Sequence, residues 1–128
     1  LFRSGPEHGH TAVESIQVVN YQVGQRYDTH LDWAIRGFPE SRLATLLMYL
    51  SDQQDHDEGA GGETSFPKTP DGSDGFKVLP KKGSAVLFYS LLEDGNGDDL
   101  AAHAALPVHK GEKWLANFWV WDPKRNEQ

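Results

Sequence analysis

The sequence predicts an all-β core folded as a double-stranded β-helix (jelly roll) with little helix. Three observations predict it. Short runs rich in β-branched and aromatic residues recur along the chain, clusters of Gly, Pro and Asp separate them, and neither an internal repeat nor a long helical heptad is present. Strands are expected, in order, at Ser15–Gln22, Tyr27–Trp33, Leu43–Leu50, Glu63–Phe66, Phe76–Leu79, Ser84–Tyr89, Ala101–Ala105 and Trp114–Trp121. Strands of this number and length suit two packed sheets.

The segments between the strands set their boundaries. Gln53–Gly62, Lys68–Gly75 and Glu93–Asp99 are polar, charged and turn-rich, so all three are expected to be exposed loops. Pro80 closes one strand, and Gly83, after Lys81 and Lys82, turns the chain into the apolar run Ala85–Tyr89. Residues 1–14 carry little pattern and are expected to be a poorly ordered lead-in.

A chain of 128 residues holds one core, so residues 1–128 are read as a single domain. It opens at Leu1 rather than Met, and no segment reaches the roughly 18 to 20 apolar residues of a membrane span. A soluble piece of something longer, making no membrane contact of its own, is expected. The net charge of -7 and pI near 5.2 argue against nucleic-acid partners, which need clustered Lys and Arg. Cys is absent, which excludes disulfides and thiolate metal sites and leaves His and carboxylate as the available ligands.

His30 and Asp32 stand two apart in an expected strand, where alternation points both to one face. One strand then offers an imidazole and a carboxylate to a single ion. His103, from a distant strand, would complete a two-His, one-carboxylate triad that leaves three positions of an octahedral iron open. An H-x-D pair alone is more often two solvated side chains on a surface strand. The rest of the pattern raises it, because a single Lys, Lys113, follows His103 ten positions on in His103-Ala-Ala-Leu-Pro-Val-His-Lys-Gly-Glu-Lys113-Trp.

Four blocks make the pattern specific: Gln17 to Asp32, Arg42 to Asp52, Gly61 to Pro67 and His103 to Trp119. In order, spacing and residue type they resemble the prolyl 4-hydroxylase family of iron(II)- and 2-oxoglutarate-dependent oxygenases, over Ile16 to Asp122. The resemblance implies an enzyme, a 2-oxoglutarate-dependent dioxygenase. His30, Asp32 and His103 would be its catalytic iron ligands, and Lys113 would receive the distal carboxylate of 2-oxoglutarate. A compact ammonium on a long stem suits that anion. Hydroxyls around the co-substrate would come from Tyr21, Tyr49 and Thr64, although Tyr49 is equally a core aromatic and Thr64 a good strand former.

The family's substrate positions map onto Tyr27, Arg42 and Trp119, with Trp121 where the family usually has His. Tyr27 lies three before His30, so alternation alone would send it to the opposite face unless a bulge intervenes. Alternation also puts Trp119 and Trp121 on one face. Leu106 replaces a common Cys and reads as a core substitution. His109 is expected to be exposed, and His8, His10 and His56 to be solvated.

The implied reaction consumes iron(II)-bound 2-oxoglutarate and O2, releases succinate and carbon dioxide, and hydroxylates peptidyl proline at C4, with ascorbate as an accessory reductant. The implied partner is an extended proline-rich peptide or protein in the polyproline II conformation. The implied compartment is the secretory pathway, the endoplasmic reticulum. Three alternatives stand beside this reading. They are the same chemistry on another residue or a small molecule, a non-catalytic cupin-like jelly roll binding metal or ligand, and a nucleic-acid demethylase, which the acidic charge disfavours.

Overall fold

The structure, a computed structural model, describes residues 13–35, 38–39, 42–53 and 59–123. In chain order the strands are β1 (Gln17–Tyr21), β2 (Tyr27–His30), β3 (Ala34–Ile35), β4 (Phe38–Pro39), β5 (Arg42–Tyr49), β6 (Thr64–Phe66), β7 (Phe76–Val78), β8 (Ala85–Tyr89), β9 (His103–Ala105) and β10 (Lys113–Trp121). A 3-10 turn spans Asp99–Ala101. The Asp98 carboxylate caps it by accepting from the Leu100 N–H at 2.8 Å.

Two four-stranded antiparallel sheets form the fold, in the orders β1-β10-β5-β8 and β2-β9-β6-β7, with β3 and β4 paired separately. Sheet neighbours come from opposite ends of the chain, which is the jelly-roll arrangement the strand count predicts. β10 is the organising strand. It pairs with β1 from Gln17↔Asn117 to Tyr21↔Lys113, and with β5 from Leu115↔Tyr49 to Trp121↔Arg42.

Alternation on β10 aims Lys113, Leu115, Asn117 and Trp119 at the space between the sheets. Leu47, Tyr49 and Leu115 form the core there, with Val19, Tyr21, Val78, Val86 and Phe88 packed around them. These residues come from both sheets, so the same apolar contact that closes the sandwich fixes the inner faces that line its cavity.

All eight expected strands occur, with shifted ends. β2 stops at His30 rather than running to Trp33, and the expected Ala101 start of β9 is a 3-10 turn instead. The two-residue strands β3 and β4 are too short for period-2 alternation to reveal. The Gln53–Gly62 segment corrects the expectation of an exposed loop at both its described ends. Gln53 and residues 60–62 are buried, and Gln53 Nε2 donates to the Ala60 and Lys110 carbonyls at 3.1 and 3.3 Å. Polarity misleads here because the amide is consumed in joining two loops. Gly61, at φ +73, bridges to Val108, and a Cβ there would sit 2.2 Å from the Pro107 carbonyl oxygen.

Of the lead-in, residues 1–12 lie outside the described residues, and so do His8, His10 and His56. Val13 bridges to Val120, and the Glu14 N–H donates to the Trp119 carbonyl at 3.0 Å, so the last two residues of the lead-in are tied to β10.

Candidate metal and co-substrate site

A cavity of about 570 Å³ opens between the sheets. At one end the ligand atoms of His30, Asp32 and His103 lie within 4.8 Å of one another. His30 and His103 are brought together by direct cross-strand pairing of β2 with β9. Asp32 arrives differently. It lies past the end of β2, in a bend, so the expected strand alternation is not what aims it.

Each imidazole is oriented in the same way. His30 Nδ1 donates to the Asp28 carbonyl at 2.8 Å and His103 Nδ1 to the Ala101 carbonyl at 3.0 Å. A carbonyl only accepts, so the neutral rings carry their proton on Nδ1 and present the Nε2 lone pair. Both Nε2 atoms face Asp32 Oδ1, from His30 at 3.4 Å and from His103 at 3.7 Å. Asp32 Oδ2 accepts from the Thr45 hydroxyl at 2.6 Å and from the Trp119 indole N–H at 3.0 Å. Two imidazoles and a carboxylate, each held by a second partner, can hold a divalent first-row metal ion such as iron(II).

The electrostatics follow from these contacts. Burial pushes the Asp32 carboxyl up, but the His30 and His103 rings, the Thr45 hydroxyl and the Trp119 indole together bring it down to about 2. Burial also disfavours charge on both rings. For His30 the Asp32 carboxylate and Asp28 carbonyl outweigh it and raise its pKa, whereas for the more buried His103 desolvation wins and lowers it.

At the other end stands Lys113, fully buried, whose Nζ has no hydrogen-bond partner among the described residues. Desolvation lowers its pKa to about 8 against the opposing pull of Glu63. The ammonium lies 5.5 Å from the Tyr21 ring centre and 5.9 Å from that of Tyr49. Tyr21 and Thr64 line the cavity. Tyr49 does not; it is buried and donates its hydroxyl to Thr64 Oγ1 at 2.7 Å. That bond occupies an acceptor lone pair of Thr64 and leaves its own proton free to donate into the cavity.

The remaining predicted residues divide. Tyr27 lines the cavity, its ring centre 4.2 Å from that of His30. A register shift between Tyr27 and His30 is the bulge that alternation requires for this. Trp119 and Arg42 also line it, with the guanidinium 3.9 Å above the Trp119 ring. Arg42 is not a free cation, since it forks onto Glu14 at 2.6 and 2.9 Å. Trp121 does not line the cavity, contrary to simple alternation with Trp119, because the β10–β5 register shifts between Val120 and Trp121. His109 is exposed.

Sequence reasoning did not find Thr45, Glu14 or the Asp28 and Ala101 carbonyls. Thr45 sits opposite Trp119 on the neighbouring strand, a signal that exists only once the register is known.

Comparison with known proteins places these features in context. A sequence model of the 2OG-Fe(II) oxygenase superfamily matches residues 16–121. The human prolyl 4-hydroxylase subunit alpha-1 is 41% identical over 118 residues, covering 86% of this chain and 20% of that protein. A probable prolyl 4-hydroxylase 9 of Arabidopsis thaliana is 39% identical over 129 residues, covering 89% and 43%. The viral collagen prolyl hydroxylase of Paramecium Bursaria Chlorella virus-1, solved as its 2OG complex, superposes with TM-score 0.69 at 37% identity, covering 85% of this chain and 59% of that one. The chain therefore spans less than half the length of both curated relatives.

Proposed function

Because the chain belongs to the 2OG-Fe(II) oxygenase superfamily, we propose that its cavity is the active site of a 2-oxoglutarate-dependent dioxygenase that hydroxylates peptidyl proline at C4. The observation that carries the proposal is the pairing, in one cavity, of a His30–Asp32–His103 cluster with a buried ammonium on Lys113 that has no hydrogen-bond partner among the described residues. A cupin-like metal binder has no use for such a cation, whose burial costs stability unless an anion meets it.

In this reading His30, Asp32 and His103 hold iron(II). Lys113 neutralises the far carboxylate of 2-oxoglutarate, and Thr64, with its proton freed by Tyr49, donates a hydrogen bond to it. Tyr21 offers a second hydroxyl from β1. Burial holds the pKa of both Tyr21 and Tyr49 above the usual phenol value, so they remain protonated donors. Iron(II), 2-oxoglutarate and O2 together supply the oxidising chemistry that yields succinate and carbon dioxide and transfers one oxygen atom to the substrate carbon. Ascorbate serves as accessory reductant.

The apolar wall of Leu47, Leu115 and Val19 excludes water from the co-substrate stem. The aromatic faces of Tyr27 and Trp119 flank the metal end, where a proline ring fits against them, and Arg42 closes the wall behind Trp119. Tyr27 is about half exposed, which suits a side chain at the mouth that a proline-rich peptide would cover.

The test is mass spectrometry of proline-rich peptides incubated with the chain, iron(II), ascorbate and 2-oxoglutarate. A gain of one oxygen on proline is expected. Succinate release without peptide oxidation would redirect the substrate assignment, and absence of both would overturn the enzymatic reading.

A further inference from the structure

Asp32 lies beyond the end of β2, so the pleat does not aim its carboxylate. What fixes it comes from the other sheet. Trp119 on β10 and Thr45 on β5 are direct cross-strand partners, and their side chains project together from one face onto Asp32 Oδ2. A carboxylate oxygen has two lone pairs, and these two donors occupy both. Oδ1 alone is left facing His30 and His103.

The indole is itself held. The Arg42 guanidinium stacks 3.9 Å above it, and the Glu14 carboxylate grips that guanidinium through two bonds of 2.6 and 2.9 Å. All of Glu14, Arg42 and Trp119 are partly buried. Pairing with Glu14 also keeps the Arg42 charge from turning onto Asp32 as a competing counter-ion.

We infer that Thr45 and Trp119, braced by Arg42 and Glu14, form a positioning array that presents Asp32 to the metal through Oδ1 alone. The inference rests on the functional reading of the cavity as a metal centre. Its consequence is a count of open positions. Two imidazoles and a one-oxygen carboxylate leave three sites on an octahedral ion, enough for a two-point 2-oxo acid and O2. A carboxylate chelating through both oxygens leaves two, and one of these reactants loses its place.

The array is tested on the full chain with Mn(II) as probe, by affinity titration and by water-proton relaxation, which reads the number of exchangeable waters on the ion. Wild type and Thr45→Ser are expected to hold about three waters. Thr45→Val combined with Trp119→Phe is expected to hold about two and to bind Mn(II) roughly 10- to 100-fold more weakly, the usual effect of removing a ligand's outer partners. Thr45→Val alone, which is nearly isosteric, is expected to shift both readings in the same direction. Unchanged water number and affinity in the double variant would overturn the inference. A Glu14→Gln chain identical to wild type would remove Glu14 and Arg42 from the array. Failure of wild type to bind Mn(II), with His103→Ala no different, would overturn the metal-centre reading itself and this inference with it.

Discussion

At the metal end of the cavity, Asp32 accepts two hydrogen bonds on Oδ2 and both imidazoles donate Nδ1 to backbone carbonyls. At the other end, Lys113 Nζ is buried with no hydrogen-bond partner among the described residues. The two ends teach different lessons about preorganisation. The first is nearly self-satisfied in the free protein: its carboxylate is held down to about 2 by neighbours that orient it. The second is left strained, its ammonium pushed down to about 8 by a burial that only a bound anion would relieve. In the proposed reading, stability is given up at Lys113 for affinity, a trade characteristic of binding sites.

The sharpest way to break the comparison is at the first end. Either His30→Ala or His103→Ala should abolish succinate formation and metal retention while the fold survives, as read by metal analysis alongside circular dichroism. Full activity in either variant would remove that residue from the site.

The next largest effect should come from Lys113→Met, and it should run in opposite directions for stability and for binding. The 2-oxoglutarate requirement is expected to rise by roughly 100-fold through loss of the buried charge pair. The ligand-free chain should meanwhile become more stable by about 3 kcal/mol, because a displacement from 10.5 to about 8 corresponds to a penalty of that order on the charged form. Urea unfolding measures the stability, and a loss of stability in this variant would show that Lys113 already has a partner.

The same imbalance makes a pH prediction. The folded pKa of Lys113 lies below its unfolded value, so between about 8 and 10.5 the unfolded chain binds more protons than the folded one. The Lys113 contribution to stability is therefore least favourable below pH 8 and improves as pH rises through that window. The difference between wild type and Lys113→Met in the ligand-free state should shrink from pH 7 to pH 10, and saturating 2-oxoglutarate should reverse its sign at pH 7.

The smallest effect should be at the Tyr49–Thr64 pair beside Lys113. Thr64→Val leaves the buried Tyr49 hydroxyl without its acceptor and should cost about 1 to 3 kcal/mol. Adding Tyr49→Phe should recover part of that loss, since an apolar pair needs no hydrogen bond. A double-mutant cycle by urea denaturation reads the coupling, and strict additivity would mean that the Tyr49–Thr64 bond of 2.7 Å carries no weight.

Much of this was legible in the residues. The eight runs marked as strands are strands because period-2 apolar alternation and Gly or Pro punctuation are local signals. His103 and Lys113 were singled out by the family resemblance of one block, and they stand at the first residues of β9 and β10. Less legible was anything that depends on register. Tyr27 reaches the cavity through a shift before His30, and Trp121 misses it through a shift after Val120. A one-residue slip reverses which face a side chain takes, and periodicity cannot show where a slip falls. Gln53 looked like loop surface because polarity says nothing about which buried carbonyls an amide will find.

By itself the sequence determined the all-β class, the strand positions, the donor types available to a metal and the acidic charge, since each depends on local pattern or composition. Only the tertiary structure decided that Asp32 leaves the strand of His30 and is gripped by Thr45 and Trp119, that Arg42 is bound to Glu14, and that Lys113 Nζ finds no hydrogen-bond partner among the described residues. The physical reason is that these facts belong to pairs of side chains distant along the chain, and a contact between distant residues exists only after the sheets have chosen their register.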